Sequence, residues 1–311
     1  MTYQCTNTVM MVRPHQFGFN PETAENNAFQ KNDESLSAKE IQARALKEFD
    51  EMVLLLQDHG IQVEVFEDTE VPSKPDALFP NNWISMHANG SIITYPLLSK
   101  IRRAERREDI VEKMITKYGF NRRYSLEQYE EKGIFLESTG SMVIDHLAKV
   151  VYACLSARTD PSVLDKFCTL MGHDRVVFTG VDKNGQAIYH TNVLMAIGEK
   201  LAIICLESIS NDNELNEVRT RLESSGKIIL EISFAQMAAF AGNMLELTGN
   251  GGRNILIMSE SAFRSLEPLQ IEQIRHYADP IYTPLDTIEK YGGGSARCML
   301  AEIFRPQRMS S

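Results

Sequence analysis

The sequence predicts an α/β protein built from five repeated hairpin-helix-strand units, turned about one axis and forming a single domain over residues 1–311. Three observations predict it. Five segments share one design, a small or polar cluster that runs into an apolar strand. Taking Trp83, Ser141, Val193, Met244 and Met299 as equivalent points, the successive steps are 58, 52, 51 and 55 residues. Between these points lie stretches with apolar residues three and four apart that end in glycine, the pattern of amphipathic helices. Self-similarity at a fixed period marks a repeat architecture. A closed radial array of such units brings the start of every hairpin to one central cleft.

The elements follow in chain order. "NTVMMVRP" supplies a strand that closes the last unit by pairing with it. "AKEIQARALKEFDEMVLLLQDHG" reads as a long helix ending at Gly60, with the β-rich run "IQVEVF" after it. The first hairpin is "NNWISMHANGSIITYPLL" from Asn81, turning at "ANG", and "REDIVEKMITKYG" is its helix. The second hairpin, "STGSMVIDHLAKVVYACLS" from Ser138, turns at "DHLAK" and leads to the helix "PSVLDKFCTLMG" and the strand "VVFTGV". The third, "HTNVLMAIGEKLAIICLES" from His190, turns at "IGEK" and leads to "NDNELNEVRTRLESSG" and "KIILEI". The fourth, "AGNMLELTGNGGRNILIMSE" from Ala241, turns at "TGNGG"; without a lysine after its glycines, this is a hairpin turn and not a phosphate loop. The last, "ARCMLAEIF" from Ala296, is the one paired with the N-terminal strand.

Composition narrows the function. The chain is 43% apolar and 24% charged, with a formal net charge of −10, which argues against a nucleic-acid-binding surface. The run "KIRRAERRE" reads as a solvated helix face. No stretch reaches the ~20 apolar residues of a membrane span, and the first residues lack the pattern of a secretion signal. The five cysteines are odd in number and widely spaced, so reduced thiols in a cytoplasmic protein are expected, without a disulfide framework or zinc set. Cys154, Cys168 and Cys205 sit among apolar neighbours, and Cys5 in a polar start is expected to be exposed. Cys298 differs, because Gly292, Gly293 and Gly294 precede it closely. Such glycines would let a substrate lie against the backbone.

At or just before the equivalent points stand Asp76, Asn81 and Asn82, then Glu137, then His190 and Asn192, then Asn243, then Cys298. That set is a thiol, an imidazole, two carboxylates and several amides, gathered from distant sequence. A cysteine nucleophile needs its thiolate, a histidine can shuttle its proton, and a carboxylate can orient the histidine. The other six histidines lack this phase and are expected to be structural.

These residues resemble a known family. "GGGSARCM" is similar to the C-terminal cysteine motif of the guanidino-group modifying enzymes, which include arginine deiminases, dimethylarginine hydrolases, amidinotransferases and succinylarginine dihydrolase. "DALFPNNW" resembles their first substrate-binding segment. "FLES" resembles their Leu-Glu-Gly-Gly element, "LSARTD" their Ser-x-Arg-Thr element, and "HTN" their His-x-Asp element. Within the family, "RPHQFGFNPETAENNAFQ" together with "FPNNW" resembles the citrulline-hydrolase branch. The resemblance covers almost the whole chain and implies a five-bladed α/β propeller, the pentein fold.

It also implies roles. Cys298 would be the nucleophile, His190 the general acid and base, and Glu137 its carboxylate partner. Asp76 would hold the substrate α-ammonium and Arg158 its α-carboxylate, with Arg102 or Arg103 assisting. Asn81, Asn82, Asn192 and Gly294 would line the substrate. Asn82 and Asn192 stand where deiminases carry aspartates, which removes negative charge and keeps shape. A guanidinium is always charged, whereas a ureido group is neutral and offers both a carbonyl and N–H groups for amides to read. The implied reaction is hydrolysis of L-citrulline to L-ornithine, carbon dioxide and ammonia, with no metal or organic cofactor. The partners expected are a small-molecule substrate, with no nucleic acid or membrane, and oligomeric state is left open. The rivals are a guanidino hydrolase or amidinotransferase using the same residues, and a non-catalytic binding protein on the same fold.

Overall fold

Helix signals in the sequence become helices with identifiable caps. The structure, a computed structural model, describes residues 3–25, 27–31 and 35–306. Asn26, within the segment that marks the citrulline-hydrolase branch, lies outside the described residues.

The chain opens with β1 (Thr8–Arg13), the short helix α1 (Pro21–Ala24), the long helix α2 (Ala38–Asp58) and β2 (Gln62–Glu67). Ser37 and Glu40 form a reciprocal capping box at the start of α2. Ile41, Ala45, Phe49, Met52 and Leu56 recur three or four apart and bury one face of that helix. They share a core with Leu78, Phe79, Tyr291, Met299 and Cys298, so this helix underlies the C-terminal thiol.

The same pattern then recurs. A 3-10 turn at Pro80–Asn82 leads into β3 (Ile84–Met86) and β4 (Ser91–Thr94), followed by α3 (Glu108–Tyr118) and β5 (Arg122–Ser125). The turn α4 (Ser138–Ser141) leads into β6 (Val143–Asp145) and β7 (Val150–Cys154), then α5 (Pro161–Met171) and β8 (Asp174–Phe178). The turn α6 (Thr191–Leu194) leads into β9 (Met195–Ile197) and β10 (Leu201–Ile204), then α7 (Asp212–Ser224) and β11 (Ile228–Glu231). After α8 (Phe234–Ala238) come β12 (Leu245–Thr248) and β13 (Asn254–Ser259), then α9 (Glu260–Ser265), α10 (Pro268–Arg275) and β14 (Asp279–Thr283). Helix α11 (Asp286–Gly292) and a 3-10 turn at Ala296–Met299 end in β15 (Ala301–Glu302).

Five three-stranded sheets result. In each, a short strand runs antiparallel to the central one, and the strand beyond the helix runs parallel to it. The fifth sheet is shared by both ends of the chain, with β15 antiparallel to β1 and β1 parallel to β2. The 51–58-residue phase read from the sequence is therefore the spacing of these sheets.

The turns ahead of the hairpins meet. Pro80–Asn82 touches both Ala296–Met299 and Ser138–Ser141, and the latter touches Thr191–Leu194. The fourth hairpin joins through Asn243, whose Nδ2 donates to Asn192 O at 2.9 Å and whose Oδ1 accepts from Arg297 N–H at 3.1 Å. These contacts run from turn to turn through all five units. No helix among the described residues is long and apolar enough to cross a membrane.

Two expectations are corrected. Cys5 is buried, because the chain start threads between sheets, where Gln4 Nε2 donates to Ile144 O and Ile197 O and Cys5 Sγ donates to Glu246. The run "KIRRAERRE" is not a solvated face throughout. It contains a 3-10 turn at Ile101–Glu105 in which Arg102 and Glu105 are buried against each other.

Candidate active site

Turns ahead of the hairpins carry several of the predicted residues to a common pocket. Cys298 and His190 line it together with Asp76, Asn82, Arg102, Arg158 and Gly294. Asn192 and Asn243 approach from behind the sulfur, their Nδ2 groups donating to Cys298 Sγ at 3.6 and 3.3 Å. The pocket has about 20 Å³ of free space, room for about one water. Thr23 and Asn27 also line it.

Glu137 is fully buried just before α4. Its own N–H donates to Ser141 Oγ at 2.9 Å. Its Oε1 accepts from Leu98 N–H at 3.0 Å, and its Oε2 lies 2.8 Å from His190 Nε2 and 3.5 Å from an Arg158 nitrogen. Burial opposes the Glu137 charge, but Arg158 and the His190 bond outweigh it and hold the carboxyl below the usual range. Burial also pushes the His190 imidazole down to about 4, against the pull of Glu137. At neutral pH the pair is therefore an anionic carboxylate and a neutral ring. An ionised carboxylate only accepts, so Nε2 carries the proton and Nδ1 is left as the basic nitrogen. The Tyr189 ring lies tilted against this ring with centroids 4.8 Å apart, and the Arg158 guanidinium sits 5.0 Å from the Tyr189 centroid.

Ser138 follows Glu137 with φ +42, in the left-handed region. This is the position where the resembled Leu-Glu-Gly-Gly element has glycine, so the chain keeps that backbone shape with a serine. Its hydroxyl donates to Ile84 O at 3.2 Å and anchors the turn to the preceding unit.

Asp76 is held by Asn20, whose Nδ2 donates to Oδ2 at 2.7 Å, while its Oδ1 has no hydrogen-bond partner. Burial pushes this carboxyl up, with Arg102 opposing. Arg102 donates to both oxygens of Glu105 at 2.9 and 2.8 Å, to Asn82 Oδ1 at 2.7 Å and to Phe79 O at 3.2 Å. Asn82 Nδ2 and Asn192 Oδ1 are buried without partners. Unsatisfied buried polar groups are rare, and three of them gather about this thiol.

Two predicted positions lie elsewhere. Arg103 points away, its Nε donating to Leu97 O at 3.1 Å and sitting 3.2 Å from Glu130. Asn81 is fully buried but does not line the pocket; its carbonyl accepts from Thr139. At Gly292 and Gly294 a Cβ would meet the Phe79 ring at 2.8–2.9 Å, and at Gly293 it would meet Asn27 and Gln30. The three glycines line the pocket beside Cys298 and also admit close protein neighbours there. Sequence reasoning missed Asn20, Thr23, Asn27, Tyr189 and Glu105, none of which shares the repeat phase. Asn20, Thr23 and Asn27 lie within the segment that resembles the citrulline-hydrolase branch, Glu105 within the basic run, and Tyr189 next to His190.

A separate cleft of about 630 Å³ contains none of the predicted residues. Among the described residues no cluster of three His, Cys, Asp or Glu has a metal-holding arrangement.

A family model described as N,N dimethylarginine dimethylhydrolase, eukaryotic, matches residues 13–305. The chain belongs to this family. It is thereby a member of the guanidino-group modifying (amidinotransferase) superfamily, whose hydrolases act on non-peptide C–N bonds. A search of curated protein sequences finds no match.

Solved structures share the fold. Unliganded AgrE superposes with TM-score 0.75 at 16% identity, over 97% of this chain and 40% of that one. The N-terminal domain of ArgZ, described as an arginine dihydrolase from the ornithine-ammonia cycle in cyanobacteria and solved as a Cys-to-Ser variant with substrate, gives 0.73 at 16%, over 96% and 98%. A dimethylarginine dimethylhydrolase family structure from Pseudomonas aeruginosa, in complex with citrulline, gives 0.68 at 15%, over 96% and 99%. The chain spans 41% of full-length ArgZ.

Proposed function

We propose that this dimethylarginine dimethylhydrolase family member hydrolyses L-citrulline to L-ornithine, carbon dioxide and ammonia. One observation carries the reading: the groups left unsatisfied beside Cys298 include the amide atoms Asn82 Nδ2 and Asn192 Oδ1. A donor and an acceptor suit a ureido group, which has one carbonyl oxygen and N–H groups. A guanidinium has donors only and carries a charge that amides do not neutralise.

In this mechanism Cys298 attacks the ureido carbon, and the two amide N–H groups at its sulfur lie where charge is carried during attack. His190 takes the thiol proton and delivers it to the departing amine, and Glu137 stabilises the imidazolium that forms between these steps. The C–N bond breaks to leave an S-carbamoyl cysteine. Water, activated by His190, releases a carbamate from the sulfur, and the carbamate yields carbon dioxide and the second amine. One water is consumed overall. Asp76, with its free oxygen, holds the α-ammonium, and Arg158 the α-carboxylate. The five sheets and their contacting turns fit a single propeller domain about one axis.

A second reading, arginine dihydrolysis, is favoured by the free Asp76 oxygen if it faces a guanidinium in place of an α-ammonium. ArgZ carries that activity in its description. Supplying citrulline, arginine, dimethylarginine and succinylarginine and measuring ornithine and ammonia separates the two. Citrulline turned over with arginine untouched supports the first. Arginine giving ornithine with two ammonia supports the second, and arginine stopping at citrulline rejects both.

A further inference from the structure

The geometry points to Arg102 and Glu105 as positioning residues that set which end of the Asn82 amide faces the substrate, and so select a carbonyl oxygen over an N–H group at the reacting carbon. The inference rests on the ureido reading above and deepens it.

An asparagine side chain can present either its donor or its acceptor, and the two ends are nearly the same size. A neighbour that only donates removes the choice. Arg102 is such a neighbour, because a guanidinium has five N–H donors and no acceptor. It donates to Asn82 Oδ1 at 2.7 Å. Turning the amide over would set N–H against N–H in a buried site and leave Oδ1 pointing elsewhere.

Arg102 cannot readily swing away. Glu105 grips it with both carboxylate oxygens at 2.9 and 2.8 Å, and Phe79 O accepts a further N–H at 3.2 Å. All three side chains are at most 3% exposed. The bidentate pair gives the guanidinium a fixed plane as well as a fixed place.

The consequence lies at the other end of the amide. Asn82 Nδ2 is buried with no partner. A Cβ placed on Gly140 would sit 2.3 Å from this nitrogen and 2.8 Å from His190 Nδ1. The free donor therefore lies near the basic nitrogen of the His190 ring, and both residues line the pocket that holds Cys298. A ureido oxygen accepts from it; a guanidinium nitrogen cannot. The relay Glu105–Arg102–Asn82 thus turns a fixed ion pair into a reader of substrate chemistry, and it leaves Arg102 occupied, unlike a clamp for the α-carboxylate.

The test uses the full chain. Wild type, Arg102→Met, Arg102→Lys and the charge-balanced double variant Arg102→Met with Glu105→Gln are assayed for kcat and KM on citrulline and on arginine, with melting curves to confirm folding. The double variant avoids leaving a lone buried carboxylate. The expected result is a fall of about tenfold or more in the citrulline-to-arginine ratio of kcat/KM in both Met variants, with partial recovery in R102K, which restores one donor. Equal rises in KM for both substrates, with the ratio unchanged, would make Arg102 a carboxylate clamp and overturn the inference. An atomic-resolution structure of Cys298→Ala with bound citrulline gives a reading independent of these variants: Nδ2 on the ureido oxygen is expected, and Oδ1 turned onto the ligand overturns it. If wild type ignores citrulline, the ureido reading fails. The same structure with the accepted substrate then decides the orientation separately, because Oδ1 kept on Arg102 upholds it and Oδ1 released from Arg102 rejects it.

Discussion

His190 Nε2 lies 2.8 Å from Glu137 Oε2, and both side chains are almost completely buried. The carboxylate fixes the tautomer and would stabilise the imidazolium formed when the ring takes a proton. Glu137→Gln keeps the shape and removes the charge. It is expected to lower kcat by about 10²–10⁴ with a smaller change in KM, as steady-state ornithine release would show.

The same pair sets a pH limit. Burial pushes the imidazole down to about 4, and it is a base only when neutral. Activity is therefore expected to persist on the acid side of pH 6 and to fall as pH drops through about 4. A pH profile of kcat/KM with a limb near 6.5 would show an exposed, unperturbed ring and contradict the burial.

Cys298 is expected to be the thiol that a small alkylating agent finds. Burial pushes Cys154 and Cys205 up to about 12 and Cys168 up to about 11, which makes them poor nucleophiles. Iodoacetamide followed by peptide mass spectrometry should label Cys298 first, with citrulline protecting it. Cys298→Ala should abolish turnover with the melting temperature nearly unchanged.

Asn82→Asp and Asn192→Asp restore the charges that the chain lacks. Each is expected to depress citrulline turnover and to improve binding of a guanidino substrate, measured by calorimetry on the Cys298→Ala background. Loss of both ligands alike would mean that the amides shape the pocket without reading it.

Gly293 adopts φ +65, and a Cβ there would lie 2.5 Å from Asn27 Nδ2. Gly293→Ala is expected to cost about 1–2 kcal/mol from the left-handed backbone alone, measured by urea unfolding. Displacement of Asn27 from the pocket wall should add a fall in kcat/KM beyond any loss of folded protein.

The repeat was legible because hairpins, helices and their glycine stops are written in local spacing. Trp83, Ser141, Val193, Met244 and Met299 each mark the lead-in to a strand by position alone. Cys298, His190 and Glu137 were legible because chemistry and phase coincided in them. Arg102 and Arg103 stay alternatives in the sequence because the two are adjacent in a basic run; the fold shows that one meets Glu105 and Asn82 while the other meets Glu130. The part of the pocket wall formed by Thr23 and Asn27 was not legible as a site. Its residues touch Asp76, Arg158 and Gly293 through side-chain and carbonyl contacts that no period encodes.

The pairing of β15 with β1 carries a consequence for biogenesis. Residues 301–302 complete the sheet that β1 begins. The sulfur at 298 therefore reaches its amides only once two stretches far apart in the sequence have met, and a truncation that removes either stretch leaves no assembled nucleophile. Long-range closure of this kind is slow, so maturation of the enzyme should lag behind its synthesis.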